Sequence, residues 1–270
     1  MGRPGDEWER PAPGELLALG VEAARAAGRL LLDGLAAGAT GVESKSTPTD
    51  PVSDLDRASE ALIVRTLRGR RPDDAVLGEE GGATTGRSGV RWVVDPLDGT
   101  VNFLYGFPAF AVSVAAEVDG EVVVGVVHDP LRGETFTAEK GAGSWLGAQR
   151  LAVRTPADLT SALVGTGFAY AAATRARQGR IVAELLPLVR DIRRAGSAAL
   201  DLCWVGAGRL DAYFESGTHH WDRAAGALVA AEAGAWTGDL TGGPPSDEMA
   251  VAAAPGIARD LLGRLRAAGA

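Results

Sequence analysis

Apolar residues recur at helical spacing near the start of the chain. Leu16, Leu17, Val21, Ala24, Leu30, Leu31 and Leu35 share one broad face, and Gly38 is a natural stop. A loop from Glu43 to Ser53, carrying Lys45, two prolines and Asp50, then leads into a second helix. That helix starts at Ser53 or Asp54 and runs to about Arg68, with Leu55, Leu62, Ile63 and Leu67 inward.

The periodicity then changes. Arg91 to Val94 is a β-type run that ends at Asp95-Pro96. Phe110 to Val118 and Glu121 to His128 are two further β runs joined by Asp119-Gly120, the signature of a type I′ hairpin. Short strands are predicted at Glu134 to Ala138, Ser144 to Leu146 and Arg150 to Val153. After Thr155-Pro156 strands and helices alternate: strands at Ala162 to Gly165, Leu210 to Phe214 and Met249 to Ala253, helices at Arg175 to Arg190, Ser197 to Ala207, Asp222 to Ala233 and Ile257 to Ala268. Antiparallel signals early and β/α alternation late predict stacked layers of helices and sheets, a mixed α+β and α/β chain. No internal repeat is visible, and the alanine enrichment reads as helix-favouring background.

Composition narrows the function classes. A chain of 270 residues, 46% hydrophobic and 23% charged, is ordinary globular usage. At that length folding buries roughly 75% of the unfolded surface. Cys203 is the one cysteine, which excludes a disulfide framework and a cysteine-built zinc site; on its helix it reads as buried and inert. A net charge of −8, with Arg68-Gly69-Arg70-Arg71 as the main basic run, argues against nucleic acid as a main partner. That run reads instead as a helix end. Residues 1–13 read as a disordered tail without a signal-peptide pattern, and Glu22, Arg25, Arg29 and Asp33 interrupt the first apolar stretch too often for a membrane span. The expectation is a soluble cytoplasmic protein without a membrane partner.

The chemistry lies in acidic residues. Val93-Val94-Asp95-Pro96-Leu97-Asp98-Gly99-Thr100 carries a buried strand into a turn with two carboxylates, and Pro96 stiffens it. Asp98-Gly99-Thr100 can open a helix whose free N–H groups would favour a phosphate. Two carboxylates beside a phosphate repel unless a cation intervenes, and an all-oxygen set suits Mg²⁺ or Mn²⁺ better than zinc or copper. Each segment also has an ordinary explanation: a turn at Asp95-Pro96 with Asp98 as a helix cap, a solvated loop at Gly78-Glu79-Glu80-Gly81, and Asp222 as the N-cap of its helix behind a packing Trp221. His219-His220 invites a metal reading, but neighbouring histidines diverge and the other ligands are hard oxygens. One packing and one solvated histidine is expected. Asp50 to Asp56 lacks the glycine and glutamate of a calcium loop.

Taken together, Gly78-Glu79-Glu80, the string Trp92 to Phe103 and Trp221-Asp222-Arg223-Ala224-Ala225-Gly226 resemble the inositol monophosphatase family in order and spacing, over about residue 14 to the C-terminus. The resemblance implies an α-β-α-β-α sandwich of the sugar-phosphatase type, with an antiparallel sheet in the first half and a smaller mixed sheet in the second. It implies a lobe at 14–154 bearing the metal site and a lobe at 155–270 completing it. It further implies Mg²⁺-dependent hydrolysis of inositol monophosphate, and a homodimer. Glu79, Asp95, Asp98, Asp222 and the Leu97 carbonyl would be metal ligands, and Glu79 with Thr100 would activate water, with Asp56 behind the threonine. Backbone N–H groups of Gly99 and Thr100 would hold the phosphate. Asp98, Gly196, Ser197, Ala198 and Glu215 would meet the alcohol; serine at 197 stands where the family commonly has threonine. Lys45 matches a lysine near the metals. Four carboxylates and a phosphate of charge about −2 would be offset by two or three Mg²⁺. Related phosphatases act on fructose 1,6-bisphosphate, histidinol phosphate, phosphoadenosine phosphate or NADP, and some relatives bind macromolecules instead.

Overall fold

The computed structural model describes residues 11–38, 42–44 and 51–270; Lys45 and Asp50 lie outside them, as do residues 1–10 of the predicted tail. The first helix, α1 (Pro13–Ala36), starts at a proline suited to its first turn. Where a loop was expected, the chain forms a short antiparallel hairpin, β1 (Val42–Ser44) with β2 (Pro51–Ser53). Helix α2 (Asp54–Arg70) follows, with Asp54 and Asp56 in its first turn and Arg68 and Arg70 in its last, as the helix dipole favours.

The large sheet comprises β3 (Ala75–Gly78), β4 (Gly82–Thr84), β5 (Val90–Asp98), β6 (Ala111–Val118), β7 (Glu121–Asp129), β8 (Glu134–Glu139), β9 (Gly143–Leu146) and β10 (Gln149–Arg150), in the order β10-β9-β8-β7-β6-β5-β3-β4. A six-residue helix, α3 (Thr100–Tyr105), follows β5. Asp119 and Gly120 both have positive φ, 54° and 83°, as the hairpin signal requires.

The second part comprises β11 (Leu163–Thr166), α4 (Ala172–Leu185), β12 (Asp191–Arg193), α5 (Ala198–Gly206), β13 (Ala212–Glu215), α6 (His220–Glu232), β14 (Trp236–Gly238), β15 (Ala250–Ala253) and α7 (Pro255–Ala267). Its five-stranded mixed sheet runs β12-β11-β13-β15-β14. Two edge strands, β12 and β14, are too short for pattern reading. The helix expected to reach Arg190 ends at Leu185, a 3₁₀ turn containing Pro187 following it.

Five layers result. Leu16, Ala23, Ala27 and Leu31 of α1 pack with Ile63 and Leu67 of α2 on one face of the large sheet, against Val94, Val112, Val114 and Val126. Alternate positions of the same strands, Val93, Ala111, Ala115 and Val127, face Ala199, Cys203, Ala225 and Val229 of α5 and α6. The other sides of α5 and α6 cover the small sheet, whose outer face carries α4 and α7. Strands buried on both faces lose the apolar/polar alternation, which is why β6 is apolar almost throughout. Alanine enrichment is therefore more than background. Between two sheets, α6 presents Ala224, Ala225, Gly226 and Ala230 because larger side chains would hold the layers apart. Among the described residues no helix is long and apolar enough to cross a membrane.

One expectation is corrected. The large sheet is not wholly antiparallel, because β3 runs parallel to β5, Gly78 opposite Val94. The chain turns back through β4 on the outer side of β3 before β5 enters on its inner side.

The tight contact between layers is testable at Gly125 of β7, where a methyl group would lie 2.6 Å from the carbonyl oxygen of Ala225. Gly125→Ala should destabilise the fold by about 1–3 kcal/mol, seen as a lower urea midpoint. An unchanged midpoint would contradict this packing.

Candidate functional site

The parallel pairing of β3 and β5 puts two strand ends side by side. The N–H of Glu79 donates to the Val94 carbonyl at 3.2 Å, so Glu79 leaves its strand beside Asp95. After burial, the Glu79 carboxyl is the largest cause that raises that of Asp95. Residues three apart in a regular strand point to opposite faces. Here β5 is irregular: Asp95 opposes Ser113 and Asp98 opposes Ala111, so three steps on β5 match two on β6. Pro96, unable to donate to the ladder, sits in this bulge, and both carboxylates come to line one cavity of about 530 Å³.

Within that turn the Leu97 N–H donates to Asp95 Oδ1 at 3.0 Å. Gly99 has φ 96°, where a side chain would be strained and a methyl would lie 2.9 Å from the Ala109 carbonyl. Gly99, not Asp98, is the N-cap of α3. Asp98 instead reaches a distant helix end: its Oδ2 accepts from Ser197 Oγ at 2.6 Å and from the Ala199 N–H at 2.7 Å. Ser197 in turn caps α5 by accepting from the Leu200 N–H. Asn102 completes the link, its amide donating to the carbonyls of Ala109 and Ala195, beside Gly196. Thus the Gly196-Ser197-Ala198 segment is held against the β5 turn.

Asp222 is not the N-cap of α6. That position is His219, and Asp222 stands in the first turn, where its Oδ2 accepts the His219 N–H at 2.7 Å. His220 meets the buried Glu117 at 2.6 Å and His219 is exposed beside Trp221, so the two histidines do diverge. Glu215, at the end of β13, accepts from the Tyr213 hydroxyl at 2.8 Å and lines the same cavity as Glu79, Asp95, Asp98 and Asp222. Among the described lining residues Arg194 supplies the one permanent cation.

Helix α2 supports this floor from below with a polar face. The Thr100 hydroxyl lies 3.1 Å from both Asp56 Oδ1 and the Leu97 carbonyl. Ser59 Oγ donates to the Pro96 carbonyl at 2.9 Å, and Glu60 accepts from the backbone N–H groups of Glu80 and Gly81. Sequence reasoning found Asp56 and missed Ser59 and Glu60. The signal was available: 56, 59, 60, 63 and 67 lie on one helical stripe, polar at its start and apolar at its end.

The electrostatics follow from burial and crowding. Asp95 is 1% exposed, and its carboxyl is pushed well above the usual range by burial, then by Glu79, Asp98 and Asp222. Asp222 is raised likewise by burial and by Asp98 and Glu79. Asp98 is pushed up to about 6 by burial, against the lowering effect of its Ser197 and Ala199 hydrogen bonds. Glu215 is pushed up to about 7 by burial, against the Tyr213 hydroxyl. Buried Cys203 is raised too, as an inert thiol should be. Among the described residues no three acidic, histidine or cysteine side chains are grouped closely enough to hold a metal ion as they stand, although four carboxylates line the one cavity. A hard divalent cation fits the four carboxylates, since they offer oxygen donors and their mutual repulsion is what a cation would relieve.

The chain matches the inositol monophosphatase family model over residues 13–268. It is 51% identical over 242 residues to an inositol-1-monophosphatase of Mycobacterium leprae, covering 86% of this chain and 83% of that one. It is 43% identical over 230 residues to the Nus factor SuhB of Escherichia coli, covering 84% and 86%. The crystal structure of the extragenic suppressor protein suhB from Bartonella henselae superposes with a TM-score of 0.87 at 35% identity, over 94% of this chain and 98% of that one. Family model, relatives and fold agree with the acidic cavity: this chain belongs to the inositol monophosphatase family.

Proposed function

We propose that the protein is a Mg²⁺-dependent phosphatase that hydrolyses inositol monophosphate, myo-inositol 1-phosphate, to inositol and phosphate. The observation that carries this reading is the convergence of Glu79, Asp95, Asp98 and Asp222 on one cavity that Thr100, backed by Asp56, also lines. The proposed ligands are those four carboxylates with the Leu97 carbonyl. Mg²⁺, or Mn²⁺, bound there would neutralise the crowded charge, acidify water and polarise the ester.

The side chains divide the remaining tasks. Donation of the Thr100 proton toward Asp56 leaves the hydroxyl's lone pairs to accept from a water, and Glu79 is the base that takes that water's proton. The N–H groups of Gly99 and Thr100, lacking intrahelical partners, hold the phosphate oxygens. Glu215 accepts from ring hydroxyls, and Gly196, Ser197 and Ala198 wall the alcohol. The family assignment also supports a cytoplasmic homodimer in which residues 14–154 and 155–270 form one catalytic unit.

A second reading takes its motive from relatives named Nus factor: a role in binding a macromolecular partner, with hydrolysis secondary. The Thr100–Asp56 pair favours the enzyme, since a pure scaffold has no use for an oriented hydroxyl. Phosphate release with added Mg²⁺ across inositol 1-phosphate, fructose 1,6-bisphosphate, histidinol phosphate, phosphoadenosine phosphate and NADP tests substrate and activity together. No release from any ester would remove the enzymatic reading.

Asp98→Asn keeps an acceptor for the Ser197 and Ala199 donors but removes the charge. It should cut kcat about 100-fold or more while leaving the melting temperature within a few degrees. Wild-type turnover by this variant would take Asp98 out of the mechanism.

Carboxyls raised in the folded state stabilise it below their unfolded pKa values, and that contribution is lost as pH rises through the folded ones, about 6 for Asp98 and about 7 for Glu215. The EDTA-treated protein should therefore melt progressively lower between about pH 5 and pH 8, and Mg²⁺ should restore stability at the alkaline end. Asp95→Asn, which preserves the bond from Leu97, should flatten that decline. A melting profile independent of both pH and Mg²⁺ would contradict the charge-crowding account.

A further inference from the structure

We infer that Glu60 is a positioning residue for Glu79, fixing the turn that delivers this carboxylate to the cation site. The inference rests on the metal-dependent reading of the cavity. Glu60 lies on α2, is 6% exposed and does not line that cavity. Its two carboxylate oxygens are divided between successive backbone donors, Glu80 N–H at 2.9 Å and Gly81 N–H at 2.6 Å.

Glu79 is thereby held from both sides. Its own N–H is tied to Val94 of the neighbouring strand, and the next two N–H groups are tied to Glu60. Gly78 and Gly81 let the carboxylate approach this closely, because a methyl group at either position would run into it. With the backbone clamped on each side, the Glu79 side chain emerges beside Asp95 despite the repulsion between them.

Support of the hairpin alone does not explain the arrangement. Strand β4, which the turn leads into, is three residues long, wholly exposed and at the sheet edge, so it offers the core nothing to anchor. Among the described residues the Glu60 carboxylate is met by backbone N–H groups alone, a costly way to hold such an edge, where an apolar residue would pack more cheaply. The cost is intelligible if the direction of Glu79 matters. The same stripe of α2 sends Asp56 to Thr100 and Ser59 to the Pro96 carbonyl, so one helix face aligns three segments of the site.

Mg²⁺ binding to the full-length protein, measured by calorimetry alongside activity, tests the assignment. Glu60→Gln keeps the shape but turns an amide N–H₂ against one of the two backbone donors. It should weaken Mg²⁺ binding about 10- to 100-fold, the range for residues that orient metal ligands. KM for the ester at saturating Mg²⁺ should stay near the wild-type value. Glu60→Asp, which keeps the charge but is one methylene short, should fall between the two, and serves as the measurement should the amide variant not fold. A folded variant that melts lower yet binds Mg²⁺ like the wild type would reduce Glu60 to a structural prop and overturn the inference. Absence of Mg²⁺ binding in the wild type would instead remove the metal-dependent reading, and this one with it.

Discussion

Mutual repulsion among carboxylates is the constraint around which this molecule is built. Glu79, Asp95, Asp98 and Asp222 come from three separate stretches of chain, and all four line one cavity, where burial and crowding act on them together. Left to itself such a group would spread. Rigid backbone holds it. Parallel pairing joins the ends of β3 and β5, a proline-containing bulge removes the alternation that would separate Asp95 from Asp98, and the first turn of α6 supplies Asp222.

The scaffold also meets part of the charge with its own dipoles. Asp98 takes the N-terminal donors of α5, Asp222 takes the His219 N–H, and Asp95 takes the Leu97 N–H. None of these offsets burial and the neighbouring charges together, which is why the Asp95, Asp98 and Asp222 carboxyls stay raised above their ordinary range. The crowding costs stability locally, a trade common to strained functional sites. The five-layer packing, with α5 and α6 sealed between two sheets, makes the cost tolerable.

Helix α2 has a double role that its composition conceals. Ile63 and Leu67 bind it to the core, whereas Asp56, Ser59 and Glu60, one and two turns earlier on the same stripe, hold the segments that form the site. A substitution in this helix that left the core intact could still disorder the chemistry.

Much of this was legible in the chain itself. Helical periodicity located α1, α2 and α5 to within a few residues; Asp119-Gly120 located the central hairpin; and the string from Trp92 to Phe103 marked the family, because turn residues, buried valines and acids there are locally ordered. What tertiary structure alone decided was pairing and direction. Nothing local says that β3 lies parallel to β5, that Asp98 is held by the end of α5 a hundred residues on, or that Ser59 and Glu60 face polar partners instead of solvent. The reason is physical: propensity and periodicity act within a few residues, whereas hydrogen bonds between distant segments exist only once burial has brought those segments together.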